Sequence, residues 1–262
     1  MSLVEFSFDN DRGIATINFN RPQSMNALDI PMARAVNDAV AGLAALQGLR
    51  CVVLRGAGRA FIAGGDLTAF AADFEQAGAV LDELLDQLNP AVIGLQGLGV
   101  PVLASVHGAV AGAGVSLMCA CDLVIAAQDT RFVFAYGRIA TSPDCGGSWL
   151  LPHLIGLRKA TEFMFLGDTW DAETAHRAGL VNKVVPIDQL ESETDVIAHR
   201  LATGPTLAFR AFKKLASNTY SHSLAEQVEL ERAEFRALVS TRDFREGVST
   251  FLEKRTPHFE GK

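Results

Sequence analysis

The sequence predicts an α/β chain built from ββα-type turns and closed by a helical C-terminal third. Three observations predict it. Short apolar runs with the character of strands alternate with stretches of helical spacing through the first two thirds of the chain. Two of those runs lead straight into turns of small residues, AFIAGGDL at 60–67 and VHGAVAGAGVSL at 106–117. From Leu190 onward the pattern is helical, with a capping box at Ser223 and Glu226 followed by an apolar stripe at Leu224, Val228, Phe235 and Leu238.

Taken in order, Val4, Phe6 and Phe8 alternate with polar residues, as in a half-buried strand. Residues 10–13 make a turn and 14–19 a second strand, so the chain opens with a hairpin. Residues 20–28 form a loop. Asp29 is placed to cap a helix that has Pro31 in its first turn and Met32, Val36, Val40 and Leu43 on one face. Residues 51–55 make a buried strand running into the first glycine turn. Residues 67–97 have helical spacing with breaks marked by Gly78 and Pro90. Strands are expected at 101–105, 123–126, 131–134 and 181–185, helices at 147–155 and 158–166, and a short helix beginning at Asp171. Residues 136–147 are expected to be a loop.

Composition narrows the function. A chain of 262 residues, 49% hydrophobic and 20% charged, has the material for one large core with a helical appendage. The formal net charge of −7 and the absence of a lysine-rich helix argue against nucleic acid as a partner. The first residues, MSLVEFSFDNDRG, show neither the basic nor the apolar region of a secretory signal, which leads to the expectation of a cytoplasmic protein. The apolar stretch 99–127 is cut by Pro101, His107, several glycines and Asp122. Its pieces are shorter than the roughly 20 residues a bilayer requires, so no membrane span is expected. Cys51, Cys119, Cys121 and Cys145 follow no metal or redox spacing and are expected to be reduced thiols; no metal site is expected.

The two glycine turns carry the chemistry. Small residues let a backbone approach a ligand closely, and the start of a helix leaves N–H groups without intrahelical partners. Two such turns, each donating one N–H to a single oxygen, make an oxyanion hole out of main chain. The alternative is a pair of tight structural turns.

The AGGD turn, the HGAVAGAG turn and the stretch SPDCGGSWLLPHLIG at 142–156 together resemble the crotonase superfamily, the enoyl-CoA hydratase/isomerase enzymes. So do NRPQSMNAL at 20–28, GLVNKVVP at 179–186 and FLEKR at 251–255, in the family's order and over nearly the whole chain. The resemblance implies a spiral core of ββα turns over residues 1–200 that binds acyl-CoA. It also implies a C-terminal helical oligomerisation region over 201–262, forming a homotrimer or a dimer of trimers. The helices of that region could instead simply cover their own core. No separate cofactor is implied, because coenzyme A arrives as part of an acyl-CoA thioester substrate.

By position the resemblance assigns the two oxyanion donors to the backbones of Gly65 and Ala113. The family's hydratases hold water with two glutamates; here those positions are Ser116 and Tyr136, and neither is a carboxylate. The remaining acid is Asp144, where several of the family's isomerases carry a working aspartate and its aromatic dehalogenase carries a nucleophile. Pro143 and the following helix also make Asp144 a candidate N-cap. A substrate strip is implied at Arg21, Ser24, Met25, Ala63, Asp66, Leu67 and Thr68, with Ser116 and Tyr136 beside it. Lys254 is matched to a CoA phosphate contact, sometimes made across a subunit boundary. Arg21 and Lys254 could equally be solvated surface charges. Three functions stay open: a double-bond isomerase using Asp144, a hydratase with a non-standard water site, and a non-catalytic acyl-CoA binder. A serine hydrolase lacks support, because Ser116 sits in no G-x-S-x-G elbow and no histidine is placed to activate it.

Overall fold

The computed structural model describes residues 2–217 and 219–262. The strands are β1 (Val4–Asp9), β2 (Ile14–Phe19), β3 (Cys51–Gly56), β4 (Ala60–Ile62), β5 (Val102–Val106), β6 (Ala109–Ala111), β7 (Leu123–Ala127), β8 (Arg131–Val133), β9 (Trp170–Asp171) and β10 (Lys183–Val185). The helices are α1 (Ile30–Leu43), α2 (Leu67–Ala72), α3 (Ala77–Gly97), α4 (Ala113–Cys119), α5 (Gly147–Ile155), α6 (Leu157–Leu166), α7 (Ala172–Arg177), α8 (Leu190–Ala202), α9 (Thr206–Ala216), α10 (Leu224–Leu238) and α11 (Arg242–Glu253).

The strands form two sheets. One has the order β1-β2-β3-β5-β7-β10, the other β4-β6-β8-β9. The opening hairpin is antiparallel, and from β2 to β10 every neighbour in the first sheet is parallel. The chain therefore turns a corner three times: β3 into β4, β5 into β6, β7 into β8. Each corner passes the backbone from the first sheet to the second, and the returning segments stack as a spiral of ββα turns. The β5–β6 corner is tight enough to require Gly108, which has φ +58, and a Cβ there would collide with the Arg59 carbonyl.

Alternation along the strands splits the core. Ile14, Cys51, Val53, Leu103 and Ile125 pack with Leu190, Ala198 and Ala202 of α8 on one face of the first sheet. Ala15, Ile17, Val52, Leu54, Ala104 and Val124 face the larger core formed with α1, α3 and the second sheet. A period of two on a sheet buried on both sides explains the near-continuous apolar runs in the sequence. The stretch 99–127 resolves into β5, β6, α4 and β7, and among the described residues no helix is long and apolar enough to cross a membrane.

The local signals hold. Asp29 accepts the Met32 N–H at 2.8 Å and starts α1, whose Met32, Val36, Val40 and Leu43 are all buried. Asp171 caps α7 through the Thr174 N–H at 2.7 Å. Ser223 and Glu226 form a complete capping box at α10.

Three expectations need correction, and one open alternative is decided for α10. Phe6 is 43% exposed although Val4 is buried, because β1 is an edge strand paired only with β2. The segment 67–97 breaks at Asp73 and then runs as one 21-residue helix through Pro90. The segment 136–147 is not all loop, since Ala135–Ile139 is a 3₁₀ turn carrying Tyr136. Finally, α10 buries no residue, and Leu224, Val228 and Phe235 are exposed, so its stripe does not cover the chain's own core.

The spiral also sets how closely α4 approaches β4. A Cβ on Gly114 would overlap the Ile62 carbonyl oxygen and lie 2.9 Å from Ile62 Cβ. Gly114→Ala is therefore expected to destabilise the protein by about 1–3 kcal/mol, as overpacking does. A thermal melt of the variant checks this, with a lowered Tm as the expected result.

Candidate active site

The two glycine turns lie side by side because the strands before them are paired. β4 and β6 run parallel, with Ala60 opposite Ala109 and Ile62 opposite Val110. Gly64 has φ +107 and Gly112 has φ +49, so both turns use backbone that favours glycine. The two come close: a Cβ on Gly112 would lie 3.8 Å from Gly64 Cα, and one on Gly64 would lie 3.3 Å from the Ala111 oxygen.

The NRPQSMNAL loop pins the first turn from its other side. Leu28 N–H donates to Gly64 O at 2.8 Å, and Asp66 N–H donates to Leu28 O at 2.9 Å. Gly65 sits between those two bonds with its own peptide group turned away from Leu28, and a Cβ there would meet nothing within 4 Å. Ala113 is the first residue of α4, so its N–H has no intrahelical acceptor. Among the described residues neither the Gly65 N–H nor the Ala113 N–H donates to a backbone oxygen. Two adjacent unused amides beside open space are what an oxyanion hole requires.

Asn26, which sequence reasoning missed, locks this loop. It is fully buried, its side-chain NH₂ donates to the Ala57, Ala60 and Phe61 carbonyls, and its Oδ1 accepts the Arg21 N–H. Met25 and Asn26 both have positive φ, at 51° and 57°. The only signal in the sequence was the tolerance of asparagine for left-handed backbone, and that is weak evidence alone.

One helical turn past Ala113, Ser116 meets Tyr136. The Ser116 Oγ to Tyr136 Oη distance is 3.0 Å, and the Tyr136 hydroxyl donates to Asp144 Oδ1 at 2.5 Å. Tyr136 has a single proton and gives it to the carboxylate, so Ser116 is the donor to Tyr136. Burial, reinforced by the charge and hydrogen bond of Asp144, pushes the Tyr136 phenol well above its usual range, so it remains a donor. Phe134 holds the Tyr136 ring edge-on at 5.0 Å. The fit is close: a Cβ on Gly147 would clash with Ser116 Oγ and touch the Phe134 ring.

Asp144 does not cap a helix. The N-cap of α5 is Gly146, with φ 73 and no side-chain cap bond, and Cys145 before it is also left-handed at φ 48. These two residues turn the chain sharply, leaving Asp144 outside the helix. The Gly147 N–H bonds the Asp144 main-chain oxygen, not its carboxylate, at 2.8 Å. The carboxylate is half-buried, with one oxygen on Tyr136.

Other expected site residues serve different partners. Arg21 donates to Asp66 Oδ2 at 2.8 Å and to the Ala27 carbonyl at 3.0 Å, and pairs with Asp29 at 3.2 Å. It ties the loop to the turn. Asp66 caps α2 through Thr68; the Thr68 hydroxyl, then Arg21, hold its carboxyl below the usual range. Thr68 is correspondingly spent on Asp66, with its hydroxyl at 2.6 Å. Ser116, expected beside the substrate, is fully buried and reaches Asp144 only through Tyr136, and Tyr136 is itself 5% exposed. Ser24, Met25 and Ala63 are half-buried around the first turn, and Leu67 is exposed at its rim. Lys254 lies at the C-cap of α11, exposed, and among the described residues no hydrogen bond or ion pair connects it to the site.

A spiral of ββα turns holding paired unused amides, with an aspartate held by a buried tyrosine, can be compared with known proteins. Residues 9–262 match the family described as enoyl-CoA hydratase/isomerase. The chain belongs to the enoyl-CoA hydratase/isomerase family. A 1,2-epoxyphenylacetyl-CoA isomerase from Escherichia coli (strain K12) is 36% identical, over 99% of this chain and 100% of its own length. A Rhodobacter capsulatus protein named "Probable enoyl-CoA hydratase" is 40% identical over 100% of both chains. The crystal structure of an enoyl-CoA hydratase from Polaromonas sp. JS666 superposes with a TM-score of 0.90 at 32% identity, covering 98% of this chain and 99% of that one. Relatives in the family thus carry both isomerase and hydratase names, and the spiral is the fold of this family.

The four thiols of this family member are all buried and free. Burial, with a lesser push from Asp122, raises Cys51 to about 12, and burial alone raises Cys119 to about 12. Burial likewise lifts Cys121 and Cys145, the latter helped by Asp144. Because the thiolate is the reactive form, a maleimide at about pH 8 is expected to label none of the four in the folded protein and all four after denaturation. Mass spectrometry of the two samples checks it.

Proposed function

We propose that this protein is an enoyl-CoA isomerase that moves a double bond by one position, using Asp144 as its sole acid/base. The observation that carries the reading is the Asp144 carboxylate, freed from helix capping and joined through Tyr136 to Ser116, which lies one helical turn past Ala113.

In this reading the thioester oxygen of a 3-enoyl-CoA accepts hydrogen bonds from the Gly65 and Ala113 N–H groups. The Asp144 carboxylate takes a proton from C2, and the C–H electron pair moves into the C1–C2 bond, leaving a dienolate with its charge on the cradled oxygen. Asp144 then returns the proton to C4. The C3–C4 π electrons form the new C4–H bond, and the enolate collapses to the 2-enoyl thioester. One base suffices because the proton leaves and returns on the same carboxyl. Hydration would in addition require a held water. The two positions that hold it in the family's hydratases by resemblance are here Ser116 and Tyr136, buried and bonded to each other.

Separate incubation with a 3-enoyl-CoA and a 2-enoyl-CoA tests this. Interconversion of the two supports the isomerase. A 3-hydroxyacyl-CoA product would favour the hydratase reading that the Rhodobacter capsulatus relative's name suggests. Binding without turnover would leave a thioester carrier. We also read the exposed stripe of α10 as part of an association region over 201–262, making a homotrimer or a dimer of trimers, which sedimentation velocity resolves.

A further inference from the structure

We propose that Tyr136 is a positioning residue that occupies one oxygen of Asp144, so that a single carboxylate oxygen carries the migrating proton and returns it before solvent can exchange it. The inference rests on the isomerase reading and goes beyond it, because an isomerase could equally use an unrestrained aspartate.

Three observations carry it. The Tyr136 hydroxyl donates to Oδ1 of Asp144, and the neighbouring Cys145 thiol also bonds the carboxylate from the buried side. Tyr136 is itself fixed from behind, by the Ser116 hydroxyl at 3.0 Å and by the Phe134 ring at 5.0 Å. The wall behind is closed: Ser116 has no exposed surface, Phe134 and Cys145 are buried, and Gly147 packs so tightly on Ser116 that a methyl would not fit. A carboxylate clamped on one oxygen cannot flip to present the other. A back wall of buried serine, tyrosine and phenylalanine also leaves no water to take the proton from behind. Intramolecular return is then faster than loss. Tyr136 acts through Asp144, so removing its hydroxyl should leave substrate binding alone.

The test uses full-length protein and the variants Tyr136→Phe and Ser116→Ala. A 3-enoyl-CoA deuterated at C2 is converted in ordinary water, and the deuterium retained at C4 is read by NMR. The protein itself should retain most of the label. Tyr136→Phe should lose most of it to solvent, while kcat falls about tenfold to a hundredfold and KM stays within about threefold, in line with a lost hydrogen bond to a charged group. Ser116→Ala should shift both readings in the same direction by less. A role in packing alone would slow turnover without altering label retention. Proton NMR gives a readout independent of turnover: a slowly exchanging downfield hydroxyl signal that vanishes in Tyr136→Phe and moves in Asp144→Asn. Absence of that signal in the protein overturns the clamp. The signal with unchanged label retention and kcat in Tyr136→Phe overturns the positioning role. The signal in a protein that does not isomerise the substrate overturns the proposed function while the clamp stands.

Discussion

Asp144→Asn is expected to abolish double-bond migration while leaving acyl-CoA binding intact. The amide keeps the shape of the carboxylate and can still accept the Tyr136 hydroxyl, so the turn at Cys145 and Gly146 and the start of α5 stay as they are. What is lost is the ability to take a proton from carbon and hold it. A positioned acid/base contributes about 10²- to 10⁴-fold, and with no second carboxylate at Ser116 or Tyr136 to compensate, the loss in kcat should lie toward the upper end. Steady-state isomerase assays give kcat, and calorimetric titration with a saturated acyl-CoA gives affinity. Turnover within tenfold of the unmodified protein would exclude Asp144 as the base.

Ala113→Pro isolates the oxyanion hole. Removing a main-chain N–H by mutation usually damages the fold, but Ala113 is the first residue of α4. Proline is favoured at that helix position, because the N–H it lacks has no intrahelical partner there and its φ suits the helix. Gly112 before it has φ 49 and ψ −121, a mirror-image extended conformation that an achiral residue can keep in front of proline. The Gly112 N–H bond to Val133 O, at 2.9 Å, is untouched. The variant should melt close to the unmodified protein. Its kcat/KM should fall by about 10²- to 10³-fold, the usual effect of losing one oxyanion donor. The ring carbon that replaces the hydrogen also intrudes where the thioester oxygen would sit. A variant that melts normally and turns over normally would remove the Ala113 amide from the mechanism.

The two predictions differ in how much of their basis was readable before folding. The Ala113 turn was legible because strand, glycine turn and helix start are adjacent in sequence, and glycine advertises unusual backbone. Whether Asp144 caps a helix was not. An aspartate after proline and before a helix fits a cap as well as it fits a base, and the structure gives the cap of α5 to Gly146. Tyr136 lay in a stretch read as loop, and its 3₁₀ turn has no strong sequence signal. The partners of Arg21 were hidden for a similar reason. Its guanidinium could serve a phosphate, the solvent or another carboxylate, and the carboxylate it meets, Asp66, is 45 positions away.

What the sequence by itself determined is everything settled within a few residues: the caps at Asp29, Asp171 and Ser223, the two glycine turns, the hairpin and the alternation of strands. These depend on hydrogen bonds and backbone preferences that hold wherever the segment ends up. Only the tertiary structure decided which polar groups face one another: Tyr136 with Asp144, Ser116 with Tyr136, Arg21 with Asp66, and Gly65 beside Ala113. Each of those groups has several partners of similar strength open to it in an unfolded chain. The fold selects one of them, bringing Tyr136 to 2.5 Å from Asp144, Ser116 to 3.0 Å from Tyr136 and Arg21 to 2.8 Å from Asp66.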